Sequence, residues 1–383
     1  MKISDVADII NVSEKDPANS GIDIFVGLEH YDIAEPVIKR FGSTKMLSTA
    51  AKKFEAGDVL IARRNVYLQR ASLVNFSGLT SGDSIILRVK KDLSIEETDY
   101  QTMCQLLPFV LNSINFWDYA NTNADGTMSK RLSPAMLQEY EFDLPSLTEQ
   151  KVLAEKLWAA YEVKQSYLKM IEATQEMVKS QFIEMFGDIS INSKAWPVEK
   201  LANVADIKIG PFGSLIHQRD YQEGGHCLIN PSQIINNKIV PDSKVAVTEY
   251  KYQELLSYSV SIGDIILGRR GEMGRAGIIE EEGMLCGTGS MVIRPKDNGD
   301  SLFLHLFITS PHSKEWLENN SVGTTMMNLN TQIVGNMEIP ILPANLKQQF
   351  VAIANQADKS VFELRKSIDA IDKVIKSLIN ENL

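Results

Sequence analysis

Two pairs of arginines stand at equivalent places in the chain and have the chemistry of a nucleic-acid contact. Arg63-Arg64 follows the apolar run Val59-Leu60-Ile61, and Arg269-Arg270 follows Ile265-Ile266-Leu267. A guanidinium group carries several N–H donors in a planar fork, which suits phosphate oxygens and base edges. An arginine at a strand end also pairs readily with a neighbouring Asp or Glu, so the pattern allows either a binding role or an internal ion pair.

Three loops accompany the arginines. Residues 126–131 and 323–330 are rich in small hydroxyl and amide side chains, and residues 210–214 form a Gly and Pro loop that reads Gly-Pro-Phe-Gly-Ser. Hydroxyl and amide side chains hydrogen-bond phosphates and base edges, and they also make ordinary turns. The candidate nucleic-acid-binding residues are Arg63, Arg64, Lys130, Arg131, Gly210, Phe212, Gly213, Ser214, Arg269, Arg270, Thr324, Thr325 and Asn328.

Residue sets typical of catalysis are missing from the sequence. The five histidines have no metal-ligand spacing, and neither a G-x-x-x-x-G-K-[ST] phosphate loop nor a G-x-G-x-x-G motif occurs. An adenine-specific methyltransferase would need Asn or Asp, then Pro-Pro and an aromatic residue, and Asn230-Pro231-Ser232-Gln233 does not fit. We therefore expect no catalytic, cofactor-binding or metal-binding residue in this chain.

The arginine pairs belong to an internal repeat. Val6-Ala7-Asp8-Ile9 returns as Val204-Ala205-Asp206-Ile207, 198 residues later, and Leu144-Pro145 returns at the same offset. Between these ends Gly57-Asp58, Arg63-Arg64, Ser84 and Arg88 return 206 residues later, and Gly126-Thr127 returns after 197. Shared offsets indicate one duplicated unit. Short buried strands after Gly-Asp turns predict a mixed α and β fold in each copy, with helices over 100–116 and 302–317 that Pro108 and Pro311 should kink or interrupt.

A long helix closes each copy after its Leu-Pro pair. Apolar residues recur there in steps of three and four, which is typical of a coiled-coil seam, and Lys164 and Gln175 interrupt the first seam. A helix of 35 to 40 residues measures roughly 50 to 60 Å. We predict that the two helices pair through Leu157, Tyr161, Leu168, Ile171, Val178 and Phe182 of the first and Val361, Leu364, Ile368, Ile371, Ile375 and Leu378 of the second.

Length and composition fit a folded protein of two or three domains. The chain has 383 residues, of which 44% are hydrophobic, and a formal net charge of -10. Three distant cysteines favour reduced thiols, and the absence of a signal-like start or a long apolar run predicts a cytoplasmic protein without a membrane partner. The acidic balance means that any affinity for DNA must come from local clusters and from partner subunits.

The repeat, the helices and the loops together resemble the specificity (S) subunit of type I restriction-modification systems. The resemblance covers essentially the whole chain and is strongest at Leu-Pro-Ser-Leu-Thr-Glu-Gln, residues 144–150, ahead of the first long helix. Residues 210–214 and the Gly-Thr-Thr-Met of 323–326 also carry it. The first copy departs from the pattern because it lacks the Gly-Pro-Phe-Gly loop.

The resemblance implies an α+β protein in which two target recognition domains, residues 1–144 and 196–342, are separated by two long antiparallel helices, residues 145–195 with the linker and 343–383. Each domain would read half of a bipartite site in double-stranded DNA, and the helices would set the gap. Two modification subunits carrying S-adenosylmethionine would methylate adenine at N6, and restriction subunits would supply cleavage that depends on ATP and magnesium. The chain itself would hold no cofactor.

Two other classes of function stay open on the sequence. One is a helical scaffold or dimerisation protein without DNA binding, and the other is a stand-alone DNA-modifying enzyme. Sequence-dependent DNA binding by the assembled complex would separate the first from the specificity subunit, and binding of S-adenosylmethionine by the isolated chain would favour the second.

Overall fold

A computed structural model describes residues 1–93, 95–126, 129–189, 191–323 and 328–383, with the side chain of Asn298 left out of the description. The fold is α+β with two compact units. Unit 1 comprises residues 1–170 and 363–383, and unit 2 comprises residues 171–362, so both long helices contribute to both units.

In unit 1 the described elements match the repeat's first copy. Its helices are α1 Ile3–Val6, α2 Tyr100–Val110, α3 Ile114–Thr122, α4 Pro134–Gln138 and the first part of α5 Leu147–Phe186. Its strands are β1 Ala7–Ile10, β2 Ser13–Glu14, β3 Ile24–Val26, β4 Gly42–Ser43, β5 Ala51–Phe54, β6 Val59–Ala62, β7 Ala71–Leu73, β8 Gly78–Thr80 and β9 Ser84–Val89.

Unit 2 repeats much of this order. Its strands are β10 Val198–Lys200, β11 Ala205–Ile209, β12 Tyr221–Ile229, β13 Ile234–Ile235, β14 Lys238–Ile239, β15 Ala246–Val247, β16 Ile265–Gly268, β17 Ala276–Ile278, β18 Leu285–Cys286, β19 Ser290–Pro295 and β20 Glu338–Pro340. Its helices are α6 Leu201–Val204, α7 Glu249–Glu254, α8 Ser301–Ile308, α9 Pro311–Asn320, α10 Thr331–Gly335 and the first half of α11 Ala344–Asn382, whose second half belongs to unit 1.

The same antiparallel sheet lies at the centre of each unit. Its strand order is β1-β9-β6-β7 in unit 1 and β11-β19-β16-β17 in unit 2. Along β6 the side chains alternate between two cores: Val59 and Ile61 face the core that contains α2 and α3, while Leu60 faces the opposite one. In β16, Ile265 and Ile266 divide in the same way. Burial of both sheet faces explains why these strands are uninterrupted apolar runs in the sequence.

Repeated Gly-Asp and Arg residues hold the central strands. Gly57 and Gly263 have φ values of 95° and 91°, a region that favours glycine, and they turn the chain into β6 and β16. Asp58 and Arg88 then form a bidentate pair, with Nε to Oδ1 at 2.7 Å and Nη2 to Oδ2 at 2.9 Å. Asp264 and Arg294 repeat it at 2.8 and 2.6 Å. These members of the repeat therefore have structural roles.

Both predicted helical stretches are interrupted, although the break is not at the proline itself. The first stretch is two helices, because α2 continues through Pro108 and ends two residues later, and Ser113 then caps α3. In unit 2, Pro311 stands in the first turn of α9, where its missing N–H costs nothing. The predicted interruption is thus confirmed in both stretches.

Within each unit the two long helices contact one another. In unit 1, Leu153, Ala154 and Leu157 of α5 share a core with Ile379 and Leu383. In unit 2, Phe182 and Phe186 of α5 lie 5.2 and 5.5 Å from Phe350 of α11, measured between ring centroids. The start of α5 thus packs on the end of α11 in unit 1, and the end of α5 packs on the start of α11 in unit 2.

The seam residues differ in burial. Leu157, Tyr161, Ile171, Phe182 and Ile368 are buried. Six others are half-buried: Val178, Val361, Leu364, Ile371, Ile375 and Leu378. Leu168 is the exception, with 36% of its surface exposed.

Candidate nucleic-acid interface

In unit 1 the arginine pair and the late loop meet at one junction. Where β6 ends, the Leu132 amide donates to the Arg63 carbonyl at 2.9 Å, and the Asn65 amide donates to the Lys130 carbonyl at 2.8 Å. The Arg64 Nε group donates to Ser129 Oγ at 3.0 Å. Four predicted residues, Arg63, Arg64, Lys130 and Arg131, are therefore neighbours although about 65 positions separate them in sequence.

Unit 2 builds the same junction from the second copy. The Leu329 amide donates to the Arg269 carbonyl at 2.9 Å, and Arg269 Nε donates to Asn328 Oδ1 at 3.1 Å. Arg270 forms an isolated antiparallel β-bridge with Asn328, and Arg64 forms the equivalent backbone bridge with Arg131. The arginines repeat after 206 residues and the late loop after 197, yet the two segments make the same backbone contact in both units. Thr324 and Thr325 lie outside the described residues.

Residues 210–214 lie beside the second junction. The Gly210 amide donates to the Ser290 carbonyl, and the Arg269 amide donates to the carbonyl of the adjacent Gly289, both at 3.0 Å. A Cβ on Gly210 would stand 2.0 Å from the Gly287 carbonyl oxygen, so this close approach requires glycine. The loop then turns outward: Phe212 is 72% exposed, and Gly213 and Ser214 are exposed as well. Sequence order alone did not place it next to Arg269.

The cations of the first junction are loosely compensated. Asp83 is the nearby carboxylate, with Oδ2 4.0 Å from Arg64 Nη1 and Oδ1 3.6 Å from Arg131 Nη2. These separations exceed a direct hydrogen bond, and the two arginines are about half exposed. The internal-pairing alternative therefore holds for Arg64 and Arg131 only in a weak form, and their N–H donors can still reach a ligand.

Buried donors sit behind these exposed arginines. Within the described residues, Arg63 Nε is buried without a hydrogen-bond partner. Burial, followed by the charge of Arg63, lowers the pKa of Lys52. In unit 2, burial and then the charge of Arg270 lower the pKa of Arg269. An incoming anion such as phosphate would offset the repulsion between these neighbouring cations and could accept a hydrogen bond from Arg63 Nε.

Two residues close to the first junction, Arg70 and Tyr67, were not among the candidates predicted from the sequence. Arg70 donates to the carbonyls of Leu28 and Arg64, both at 3.0 Å. It has a counterpart in Arg275, which donates to the Pro231 carbonyl at 3.1 Å. The offset of 205 could have identified this pair. Tyr67 is 63% exposed, whereas Met273, 206 residues on, is buried, and nothing in a single sequence signals that difference.

Metal-ligand and thiol chemistry was sought in the described residues as well. In the part of the chain that the structure describes, no group of three or more His, Cys, Asp or Glu side chains could hold a metal ion. Burial raises the pKa of the Cys286 thiol to about 12, and burial also raises the pKa of Cys104 and of Cys227. A thiol held protonated is a poor nucleophile. No described helix is long and apolar enough to cross a membrane.

Comparison with known proteins finds similarity to type I restriction specificity subunits. Residues 193–371 match the type I restriction modification DNA specificity domain. The specificity subunit of the MjaVIII type I restriction enzyme of Methanocaldococcus jannaschii is 23% identical over 68% of this chain and 65% of its own length. The EcoBI specificity subunit of Escherichia coli is 22% identical over 71% of this chain and 62% of its own length. The chain thus spans less than two thirds of these relatives.

Solved structures agree on the fold. The type I restriction-modification S subunit from M. genitalium aligns with 99% of this chain and 94% of its own, at 13% identity and a TM-score of 0.57. A chain from a study of assembly and conformational transition of the type I system aligns with 100% of this chain and 97% of its own, at 16% identity and a TM-score of 0.53.

The fold of this chain is thus shared with solved type I restriction-modification S subunits. The matched specificity domain, residues 193–371, covers just under half of the chain.

Proposed function

We propose that this chain is the DNA-specificity subunit of a type I restriction-modification complex, and that each unit contributes a target recognition domain to one half of a bipartite site. The observation that carries the proposal is the repeated junction of an arginine pair with a late loop, since Arg63 and Arg269 make the same backbone contact in the two copies. Two equivalent contact surfaces on one chain suit two half-sites.

The two helices would set the gap between the half-sites. α5 has 40 residues and α11 has 39, so each measures about 60 Å. Their contacts in both units support an antiparallel coiled coil that joins residues 1–144 and 196–342 as two copies of one recognition domain. A gap of the wrong length would then leave one domain without its half-site.

The chemistry of methylation and cleavage would belong to partners. Two modification subunits would bind S-adenosylmethionine and methylate adenine at N6, and restriction subunits would use ATP and magnesium. The net charge of -10 fits this division, because partner subunits would supply the cations that neutralise most of the DNA phosphates. The chain itself contributes sequence readout.

The test is half-site selectivity of the assembled methyltransferase carrying Arg269→Ala, Arg270→Ala and Asn328→Ala. Losing a base-edge contact costs about 1–3 kcal/mol, so we expect methylation to fall by tenfold or more and discrimination to relax at one half-site only. As a control, Lys359→Ala with Arg365→Ala removes an equal number of positive charges from exposed positions of α11. It should leave methylation and discrimination at both half-sites unchanged. Equal loss at both half-sites would contradict the proposal, and no sequence preference in the wild type would favour a scaffold.

A further inference from the structure

A cluster of charges connects three segments of unit 1. Lys164 of α5, the polar interruption of the first seam, keeps only 18% of its side chain exposed. Its Nζ lies 2.7 Å from Asp372 Oδ1 of α11 and 3.7 Å from Glu35 Oε2. One lysine thus contacts the partner helix and a loop of the globular fold.

The loop that carries Glu35 is fixed to the central sheet. Ser72 Oγ of β7 donates to the Glu35 carbonyl at 2.6 Å, and the Leu73 amide donates to the Pro36 carbonyl at 2.8 Å. β7 pairs with β6, the strand that leads into Arg63 and Arg64. The position of the Glu35 carboxylate is therefore linked through two strands to the first arginine junction.

Neighbouring groups balance the cluster. Lys39 Nζ lies 3.1 Å from Glu35 Oε1 and 5.4 Å from the centre of the Tyr161 ring. Tyr161, the seam residue one turn before Lys164, is buried. Two lysines thus face two carboxylates, and a neutral side chain at position 164 would leave Glu35 with Lys39 and leave Asp372, which is 46% exposed, to solvent.

The cluster is specific to one helix and one register. Tyr161, Lys164 and Leu168 have the spacing of Val361, Leu364 and Ile368 in the other seam, where the middle position is apolar. A slip of α11 by four residues, about one turn, would put Ile368 or Lys376 in place of Asp372. A single charged residue in an apolar seam commonly fixes register at some cost in stability.

We infer that Lys164 is a positioning residue for the spacing of the half-sites: through Asp372 and Glu35 it fixes the register of the two helices and the attachment of the first recognition domain to them. The inference rests on the proposed function. Lys164 touches no candidate DNA contact, and its effect is on the accepted gap between half-sites, not on the reading of either one.

The test measures methylation by the assembled complex on DNAs that keep both half-sites and vary the gap one base pair at a time. In Lys164→Met the preference for the cognate gap over its neighbours should fall about tenfold, the size expected when a coupled charge network is removed, while activity at the cognate gap stays near that of the wild type. Lys169→Met, an exposed lysine on the same helix, should keep the wild-type profile.

A second variant separates the two links. Glu35→Gln keeps the pair between Lys164 and Asp372 and removes the charge that ties the loop to it, so it should broaden the gap profile as well. An unchanged profile in Lys164→Met overturns the inference, and so does an unchanged profile in Glu35→Gln if Lys164→Met fails to fold. A wild type that selects no bipartite site would instead overturn the proposed function.

Discussion

Exposure separates the side chains that can meet a ligand from those that support them. Arg88 and Arg294 are repeated as faithfully as the junction arginines, yet each is committed to a buried carboxylate. Arg64 and Arg270 are exposed at the junctions and hold no such bidentate partner within the described chain. Repetition alone identified all four, and burial of Asp58 and Asp264 distinguishes the two roles.

At the residue scale, Tyr67 should distinguish the two half-sites. Tyr67→Ala removes an exposed aromatic ring three residues after Arg64 in the sequence, so we expect about a tenfold loss of affinity at the half-site that the first domain would read, within the range of one lost base-pair contact. Affinity at the other half-site should not change. Binding of the assembled complex to half-site variants measures this, with Tyr250→Ala, a comparably exposed tyrosine in unit 2, as the control. Equal losses of affinity at both half-sites would contradict a contact between Tyr67 and a single half-site.

The Asp264 and Arg294 pair should matter for stability. Asp264→Asn leaves the guanidinium without its carboxylate partner, but Arg294 is 47% exposed and regains water, so we expect a loss of about 2 kcal/mol in the free energy of unfolding. Urea denaturation measures it. Glu315→Gln, an exposed change on α9, should cost almost nothing. Equal stabilities of the two variants would show that the repeated pair is not structural.

At the scale of elements, periodicity located the central strands and the long helices well. Val59–Ala62 and Ser84–Val89 were identified by their apolar runs, and α5 and α11 by their seams, because these patterns are local. The break between α2 and α3 was predicted only in part. It lies after Pro108, between Val110 and Ile114, and Ser113 caps the start of α3. The meeting of residues 63–65 with 130–132 depends on long-range backbone pairing that no local pattern carries.

The helix pair itself should set the accepted gap. A matched insertion of seven residues, after Leu168 in α5 and before Ile368 in α11, keeps the seam and adds about 10 Å. We expect the preferred gap between half-sites to lengthen by about three base pairs, at 3.4 Å per step. The same insertion in α5 alone should abolish activity because the seams no longer match. An unchanged preferred gap in the double insertion would contradict a spacing role for the helices.

At the scale of the whole molecule, an acidic chain with two small basic junctions makes sense as part of an assembly. The net charge of -10 is unfavourable for DNA binding alone, and the junction cations are few. The resemblance to type I specificity subunits implied that partner subunits carry the catalytic chemistry. The sequence could not identify the bases, because readout depends on the geometry of loops such as 210–214 and on DNA shape.

The most direct test of the account is the methylation pattern left by the assembled complex on a library of random DNA. We predict adenine methylation within two short specified segments separated by an unspecified gap of constant length. Methylation at a continuous site, or at two segments whose separation varies freely, would contradict the account.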